Sequence, residues 1–188
     1  MRRLDVGIAG AGFAGAAAAL FLADRGHRVT LYEEAEEPQP VGAGILMQPL
    51  GLGVLADLGL LQAALERGHR VESLVCKTSS GRAVLDLSYR DLCADWHGLG
   101  MHRGALFELL HGQLSLRGVR LVTGSSVQGT RLTGAGIRPV LADGSEPAEH
   151  DLLVVADGAR SALRRALPGA RATPYPWGAL WFVGADPK

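Results

Sequence analysis

The chain has 188 residues, of which 47% are hydrophobic, and its 19 basic residues balance 19 acidic ones. A chain of this length can bury about 70% of its unfolded surface, which is enough for one sizeable core. The balanced charge excludes a strong long-range attraction to nucleic acid or to an anionic membrane, and it favours a small organic partner. The two cysteines, Cys76 and Cys93, form no CxxC or metal-binding pattern, so we expect reduced thiols in a cytoplasmic protein.

Residues 7–23, GIAGAGFAGAAAALFLA, follow a short basic start, so this run is open to interpretation as a secretion signal or a membrane anchor. A spanning helix needs about 20 apolar residues, whereas this run contains four glycines and has Asp5 just before it. The pattern fits a strand, a turn and a helix better. We predict a strand over residues 4–9, a helix over residues 14–25 and a second strand over residues 28–32.

Three glycines between the first strand and the helix, Gly10, Gly12 and Gly15, have the GxGxxG spacing. In a βαβ unit the first allows a tight turn, the second lets the backbone approach a pyrophosphate, and the third lets the helix pack closely on the strand. Glu33 follows the second strand, about 20 residues after Gly12, where a carboxylate accepts hydrogen bonds from an adenosine ribose. This context predicts a dinucleotide site, for NAD or for FAD. The alternative for Glu33 is a solvated acid at a strand end.

The middle of the chain begins with a predicted turn at Gly42 and Gly44, and Pro49 then opens a helix. Residues 71–78 and 82–89 flank a Ser-Ser-Gly turn and predict a hairpin.

Arg103 stands at the head of an amphipathic helix over residues 106–116. Its rigid fork of donors suits phosphate or sugar oxygens, and a surface ion pair is the alternative. A return strand over residues 119–124 follows, and residues 127–132 and 137–141 predict two antiparallel strands of a meander.

A buried strand near residues 151–155 leads into Asp157 and Gly158, at the carboxyl end where parallel sheets bind ligands. We predict a helix that starts at Arg160 and Ser161, for which Asp157 is an alternative N-cap. Residues 177–186 predict a final strand, with Trp177 on one of its faces.

Three segments, together with the glycine motif, carry a resemblance to a known family: VGAGILMQPLGLGVLADLGL (41–60), MHRGALFELL (101–110) and DLLVVADGARSALRR (151–165). Over about residues 4–183 the chain resembles the FAD-dependent aromatic hydroxylases, the single-component flavoprotein monooxygenases of the para-hydroxybenzoate hydroxylase type. The resemblance implies an α/β fold with a Rossmann-like FAD-binding parallel sheet and helices, an antiparallel β-meander and the start of a substrate-binding sheet. Residues 1–188 would form an incomplete FAD-binding domain, with 71–100 and 174–188 as parts of a substrate-binding subdomain.

The resemblance also implies FAD as cofactor, NAD(P)H as reductant, and hydroxylation or epoxidation of a small aromatic substrate. The glycine turn and Glu33 would hold the ADP half of FAD, the turn at 42–45 would lie beside the ribityl chain and flavin ring, and Arg103 would reach toward the linker. The implied cofactor-binding residues are Gly10, Gly12, Phe13, Ala14, Gly15, Glu33, Glu34, Gly44, Ile45, Arg103, Val127, Asp157 and Gly158. We predict no catalytic side chain, because the oxidation chemistry belongs to the cofactor.

The sequence departs from the family pattern at two places. Leu50 stands where the family commonly has asparagine, and no segment after Asp157 matches the family's further Gly-Asp segment. We therefore expect the N-terminal portion of such an enzyme, which alone binds FAD weakly, if at all. The alternatives are an FAD-binding fragment that is inactive alone, self-associates or is completed by a second chain, and a related flavin oxidoreductase without a hydroxylation step.

Overall fold

The computed structural model describes residues 2–40, 42–166, 169–178 and 184. The chain divides into two compact units, the first formed by Met1–Pro40 and Leu110–Leu180, and the second by Val41–Leu109 and Trp181–Lys188. The described strands, in chain order, are β1 (Asp5–Ala9), β2 (Arg28–Tyr32), β3 (Gly44–Met47), β4 (Gly68–Val71), β5 (Ser73–Lys77), β6 (Ala83–Ser88), β7 (Gly98–His102), β8 (Arg120–Val122), β9 (Val127–Leu132), β10 (Ile137–Leu141) and β11 (Leu152–Val155). The α-helices are α1 (Phe13–Asp24), α2 (Pro49–Asp57), α3 (Leu61–Leu65) and α4 (Arg103–Leu114), and 3-10 turns lie at Tyr89–Asp91 and Leu163–Ala166.

The first unit is built on a parallel sheet with the strand order β11, β1, β2, β8. Its central strands, DVGIA and RVTLY, are short apolar runs, as expected for strands that are covered on both faces. Val6, Ile8 and Leu31 of these strands are fully buried, and so is Leu20 of α1. The predicted Rossmann-like α/β fold is confirmed, with α1 beginning one residue before the predicted start. The apolar stretch 7–23 thus forms strand, turn and helix.

The antiparallel pair β9 and β10 has the predicted bounds. Val127, the first residue of β9, packs in a buried cluster with Ala9, Tyr32 and Leu163. Ala9 and Tyr32 are the last residues of β1 and β2. The meander therefore begins at the carboxyl end of the parallel sheet.

A buried polar chain links β1, β2 and the segment before β11. The Tyr32 hydroxyl is 2.9 Å from Nε2 of His150, and Nδ1 of His150 is 2.6 Å from a carboxylate oxygen of Asp5. The imidazole lies over Gly7, where an added Cβ would come within 2.6 Å of His150 Cδ2. Because the phenol is removed from water, burial raises the pKa of Tyr32.

The second unit contains a three-stranded antiparallel sheet in the order β3, β7, β4, and the separate hairpin β5–β6. The hairpin and the helix opened by Pro49 were both predicted. Two expectations in this unit are corrected, and one strand is added. Gly44 opens β3 instead of closing a turn, Val71 belongs to β4 instead of the hairpin, and β7, which the sequence did not predict, pairs with both of its neighbours.

Two further expectations fall near the end of the chain. The helix predicted at Arg160 and Ser161 is instead the short 3-10 turn Leu163–Ala166. Trp177 lies in irregular structure and is exposed, whereas most of the strand predicted over 177–186 lies outside the described residues. Within the described ranges, every helix is too short or too polar to cross a lipid bilayer.

Candidate functional site

The turn that follows β1 is shaped by two close approaches of backbone to backbone. Gly10 has a φ of +95°, and a Cβ there would come within 2.5 Å of the Ala156 carbonyl oxygen. A Cβ on Gly15 would come within 1.9 Å of the Gly10 carbonyl oxygen. Glycine is therefore required at Gly10 for the tight turn and at Gly15 for the packing of α1 on the turn.

Gly12 has the opposite environment. A Cβ on Gly12 would meet nothing within 4 Å, and no side chain caps the start of α1, which Gly12 precedes. Phe13, Ala14 and Gly15 form the first turn of α1, whose backbone N–H groups point toward the start of the helix. This open face carries the positive end of the helix dipole, which attracts a phosphate.

Glu33 lies beneath the turn. Its Oε2 accepts a hydrogen bond from the Ala11 N–H at 2.8 Å, and its Oε1 accepts one from the Ala35 N–H at 3.0 Å. The carboxylate is partly buried, and each oxygen has further lone pairs that could accept from hydroxyl groups. Glu33 is therefore not a freely solvated acid. It holds the turn whether or not it also contacts a ribose.

The Asp157-Gly158 segment follows β11, which pairs in parallel with β1, so the two segments meet at the same edge of the sheet. Oδ2 of Asp157 accepts a hydrogen bond from the Leu163 N–H at 3.3 Å, so Asp157 caps the 3-10 turn. Gly158 has a φ of +80°, and Ser161 Oγ accepts from the Arg164 N–H at 2.9 Å. The predicted capping role of Asp157 is thus present, on a shorter helix than expected.

A cavity of about 600 Å³ opens at this edge of the sheet, a volume in the range of small-molecule sites. The predicted residues that line it are Gly10, Gly12, Glu33, Glu34, Val127, Asp157 and Gly158. Residues that the sequence analysis missed also line it, namely Ala9, Tyr32, Ser125, Ser126, Gln128, Ala156, Ala159, Arg160 and Ala162. A serine pair, Ser125 and Ser126, directly before a strand that starts beside the site was the signal available for two of them. Ser126 Oγ donates to Glu34 at 3.3 Å.

His111 is a further residue that the sequence analysis missed. Its Nε2 lies 2.7 Å from the Ala11 carbonyl oxygen, in the middle of the glycine turn. Burial lowers the pKa of His111, while the hydrogen bond to the Ala11 carbonyl and the charge of Glu33 act in the opposite direction.

The other predicted site residues lie in the second unit. Gly42 has a φ of +98°, and a Cβ there would come within 2.8 Å of Arg103 Cδ. The Arg103 N–H donates to the Ala43 carbonyl at 3.0 Å, and Gly44 and Ile45 pair with His102 and Met101 in the sheet. The turn at Gly42 thus packs against the Arg103 side chain at the start of α4.

The first unit offers what the ADP half of a dinucleotide needs. The open Gly12 and uncapped helix start suit a pyrophosphate, the Glu33 carboxylate suits ribose hydroxyls, and the adjoining cavity has room for a ring system. The residues present therefore fit the ADP half of FAD.

Comparison with known proteins agrees with this geometry. A family model described as the FAD binding domain matches residues 3–186. The chain is 30% identical over 170 residues to the 3-amino-4-hydroxybenzoate 2-monooxygenase of Streptomyces cremeus, a match that covers 88% of this chain and 42% of that protein. It is 36% identical over 173 residues to the phenazine 1,6-dicarboxylic acid hydroxylase of Lysobacter antibioticus, which covers 87% of this chain and 42% of that protein.

Among solved structures, the tetrameric form of 2-methyl-3-hydroxypyridine-5-carboxylic acid oxygenase superposes with a TM-score of 0.74 at 29% identity, covering 88% of this chain and 42% of that one. The chain thus spans about two fifths of the length of these relatives.

Proposed function

Because this chain belongs to the FAD binding domain family, we propose that it is the N-terminal, FAD-binding portion of an NAD(P)H-using monooxygenase. The observation that carries the proposal is the glycine turn at the carboxyl edge of the parallel sheet, open at Gly12 and held by Glu33, beside a cavity of about 600 Å³. The relatives named above are a monooxygenase, a hydroxylase and an oxygenase, and this supports oxygen insertion as the reaction class.

We assign the ADP half of FAD to the first unit. The N–H groups of Gly12, Phe13, Ala14 and Gly15 would bind the pyrophosphate, with Gly10 shaping the turn. Glu33 would accept hydrogen bonds from the ribose, and Glu34, Val127, Asp157 and Gly158 would form the walls around it. In the second unit, Gly44, Ile45 and Arg103 would serve the remainder of the cofactor, where the guanidinium offers charged donors to oxygen atoms.

FAD, once bound, supplies the redox chemistry: it takes electrons from NAD(P)H and activates oxygen. The chain's own residues would bind and orient the cofactor and form part of the walls that exclude water from it. No side chain is assigned as an acid or a base. We propose a small aromatic compound as substrate, because the relatives named above take their names from ring compounds. We also assign residues 71–100 and 174–188 to a substrate-binding subdomain.

The alternatives are a related flavin oxidoreductase without hydroxylation, and an FAD-binding fragment that is inactive alone, self-associates or is completed by a second chain. We propose a cytoplasmic location, because Cys76 and Cys93 are free and exposed thiols.

The proposal is tested by titrating the purified chain with FAD, FMN and NAD⁺ and following flavin absorbance and fluorescence. We expect FAD to bind weakly, yet at least about tenfold more tightly than FMN, a difference of roughly 1.4 kcal/mol, because the FMN molecule has no ADP half. Equal binding of FAD and FMN, or preference for NAD⁺, would overturn the assignment of the glycine turn to FAD.

A further inference from the structure

The peptide groups of the glycine turn are held from both sides by side chains of other elements. The Ala11 N–H donates to Glu33 at 2.8 Å, and the Ala11 carbonyl lies 2.7 Å from Nε2 of His111 on α4. A carbonyl oxygen only accepts hydrogen bonds, so Nε2 of His111 must carry the hydrogen. Burial, which lowers the pKa of His111, favours the neutral ring, and this bond selects its Nε2–H tautomer.

This bond also fixes the direction of the next N–H group. The Ala11 carbonyl and the Gly12 N–H belong to one planar trans peptide, so they point in opposite directions. Among the residues that the structure describes, none accepts a hydrogen bond from the Gly12 N–H. The space beside Gly12 is open as well, since a Cβ there meets nothing within 4 Å. By holding the carbonyl, His111 turns the Gly12 N–H away from α4.

We propose that His111 is a positioning residue for the dinucleotide phosphates: it holds the Ala11 carbonyl so that the Gly12 N–H faces the bound phosphate. The proposal rests on the proposed function, because it takes the glycine turn as the pyrophosphate site. His111 itself touches neither the cofactor nor the reacting atoms. Its role is to preorganise a donor, which lowers the cost of ordering the turn on binding.

The alternative orientation of this peptide explains why a positioning residue matters here. A flip of the Ala11–Gly12 peptide changes ψ of Ala11 and φ of Gly12, and glycine accepts either sign of φ. The flipped peptide would present a carbonyl oxygen to the phosphate, where the native peptide presents an N–H. The same glycine that lets the backbone approach the phosphate therefore also permits the wrong orientation, and the bond to His111 opposes it.

The test compares His111→Leu, which removes the donor, with His111→Gln, whose amide nitrogen reaches about as far as Nε2. His69→Leu, the same change at an exposed histidine of β4, is the matched control. Affinities for FAD, ADP and adenosine are measured by calorimetry or competition, and urea unfolding is measured without ligand. If His111→Leu does not fold, His111→Asn replaces it, because its amide is polar but too short to reach the carbonyl.

We expect His111→Leu to weaken FAD and ADP about three- to tenfold, the range of a single lost hydrogen bond, with adenosine changed less than about twofold. His111→Gln and His69→Leu should stay within about twofold of the parent for all three ligands. Equal losses for ADP and adenosine, or equal losses in the Gln and Leu variants, would show a merely structural role and overturn the proposal. Unchanged ADP affinity in His111→Leu would overturn the positioning role of His111 and leave the proposed function in place. A parent chain that binds FAD no more tightly than FMN would overturn the proposed function and this inference together.

Discussion

At the scale of single residues, the glycines of the turn differ in whether a side chain fits at their position. Substitutions there can therefore test FAD binding and folding stability separately. Gly12 faces open space, whereas a Cβ on Gly15 would lie 1.9 Å from the Gly10 carbonyl oxygen. We predict that Gly12→Val weakens FAD binding about a hundredfold or more, because two charge-assisted amide contacts of roughly 1.5 kcal/mol or more each are lost. Its urea unfolding midpoint should stay close to that of the parent chain.

Gly15→Ala is the contrasting variant for this prediction. Its Cβ collides with backbone, which cannot move aside as a flexible side chain can, so the chain should lose stability before any ligand is added. FAD titration and urea unfolding are measured on both variants. A Gly12→Val chain that binds FAD as tightly as the parent would contradict the assignment of this turn to the pyrophosphate.

Glu33 is predicted to act on both the turn and the ribose. In Glu33→Gln one carboxylate oxygen becomes an NH₂ group, which cannot accept from a backbone N–H or a hydroxyl. We expect FAD affinity to fall about tenfold, roughly 1.4 kcal/mol, with some loss of stability through the bond to Ala11. Glu37→Gln, at an exposed acid of the same loop, is the control for the loss of charge. Equal affinities in all three proteins would remove Glu33 from the site.

The lowered pKa of His111 predicts the direction in which stability changes with pH. Burial holds its pKa in the folded chain below the ordinary value of 6.5, so the unfolded chain binds the proton more readily. The contribution to stability is complete above pH 6.5 and is lost as the pH falls from there toward the lowered pKa. Between pH 7.5 and 5, the parent chain should therefore lose more unfolding free energy than His111→Gln, as measured by urea unfolding. Parallel pH profiles would contradict this sign.

The sequence was sufficient to predict the residues whose role follows from local spacing. Gly10, Gly12, Gly15 and Glu33 fall where the βαβ motif places them, and the structure brings them together at one edge of the sheet. His111 could not be predicted in this way, because its contact with Ala11 spans 100 positions of the chain. Their cofactor contacts remain predictions.

At the scale of elements, the Tyr32–His150–Asp5 chain connects two strands with the segment that leads into β11. We predict that Tyr32→Phe costs about 1–3 kcal/mol of unfolding free energy, because it leaves a nitrogen of the buried His150 without its partner. Urea unfolding measures the change, and Tyr175→Phe, at an exposed tyrosine, controls for loss of a hydroxyl. An effect no larger than that of the control would mean that water satisfies His150.

The elements that the sequence predicted best are apolar runs bounded by polar or glycine residues. The bounds of β2, β9 and β10 agree with the prediction. The missed strand β7, GLGMH, contains two glycines, which weaken any local preference for a strand. Its hydrogen bonds come from β3 and β4, which are distant in sequence, so only the tertiary fold makes this segment a strand.

At the scale of the whole molecule, the chain spans about two fifths of the length of its relatives. We predict that the 188 residues alone show no substrate-dependent NAD(P)H oxidation, because the water exclusion that protects such chemistry needs walls on all sides of the cofactor. The assay supplies FAD, NADPH and a panel of phenols, and it follows hydroxylated product and peroxide separately. Coupled hydroxylation by this chain without another polypeptide would contradict the prediction.

The contact between Gly7 and His150 has a consequence for how the sequence can diverge. A methyl group at position 7 would lie 2.6 Å from the His150 ring, and the ring is held in place by Tyr32 and Asp5. Alanine at position 7 is therefore disfavoured for as long as a histidine stands at position 150. Substitutions at these two positions are therefore ordered in evolution. Residue 150 has to change first, and Gly7 persists for as long as His150 does.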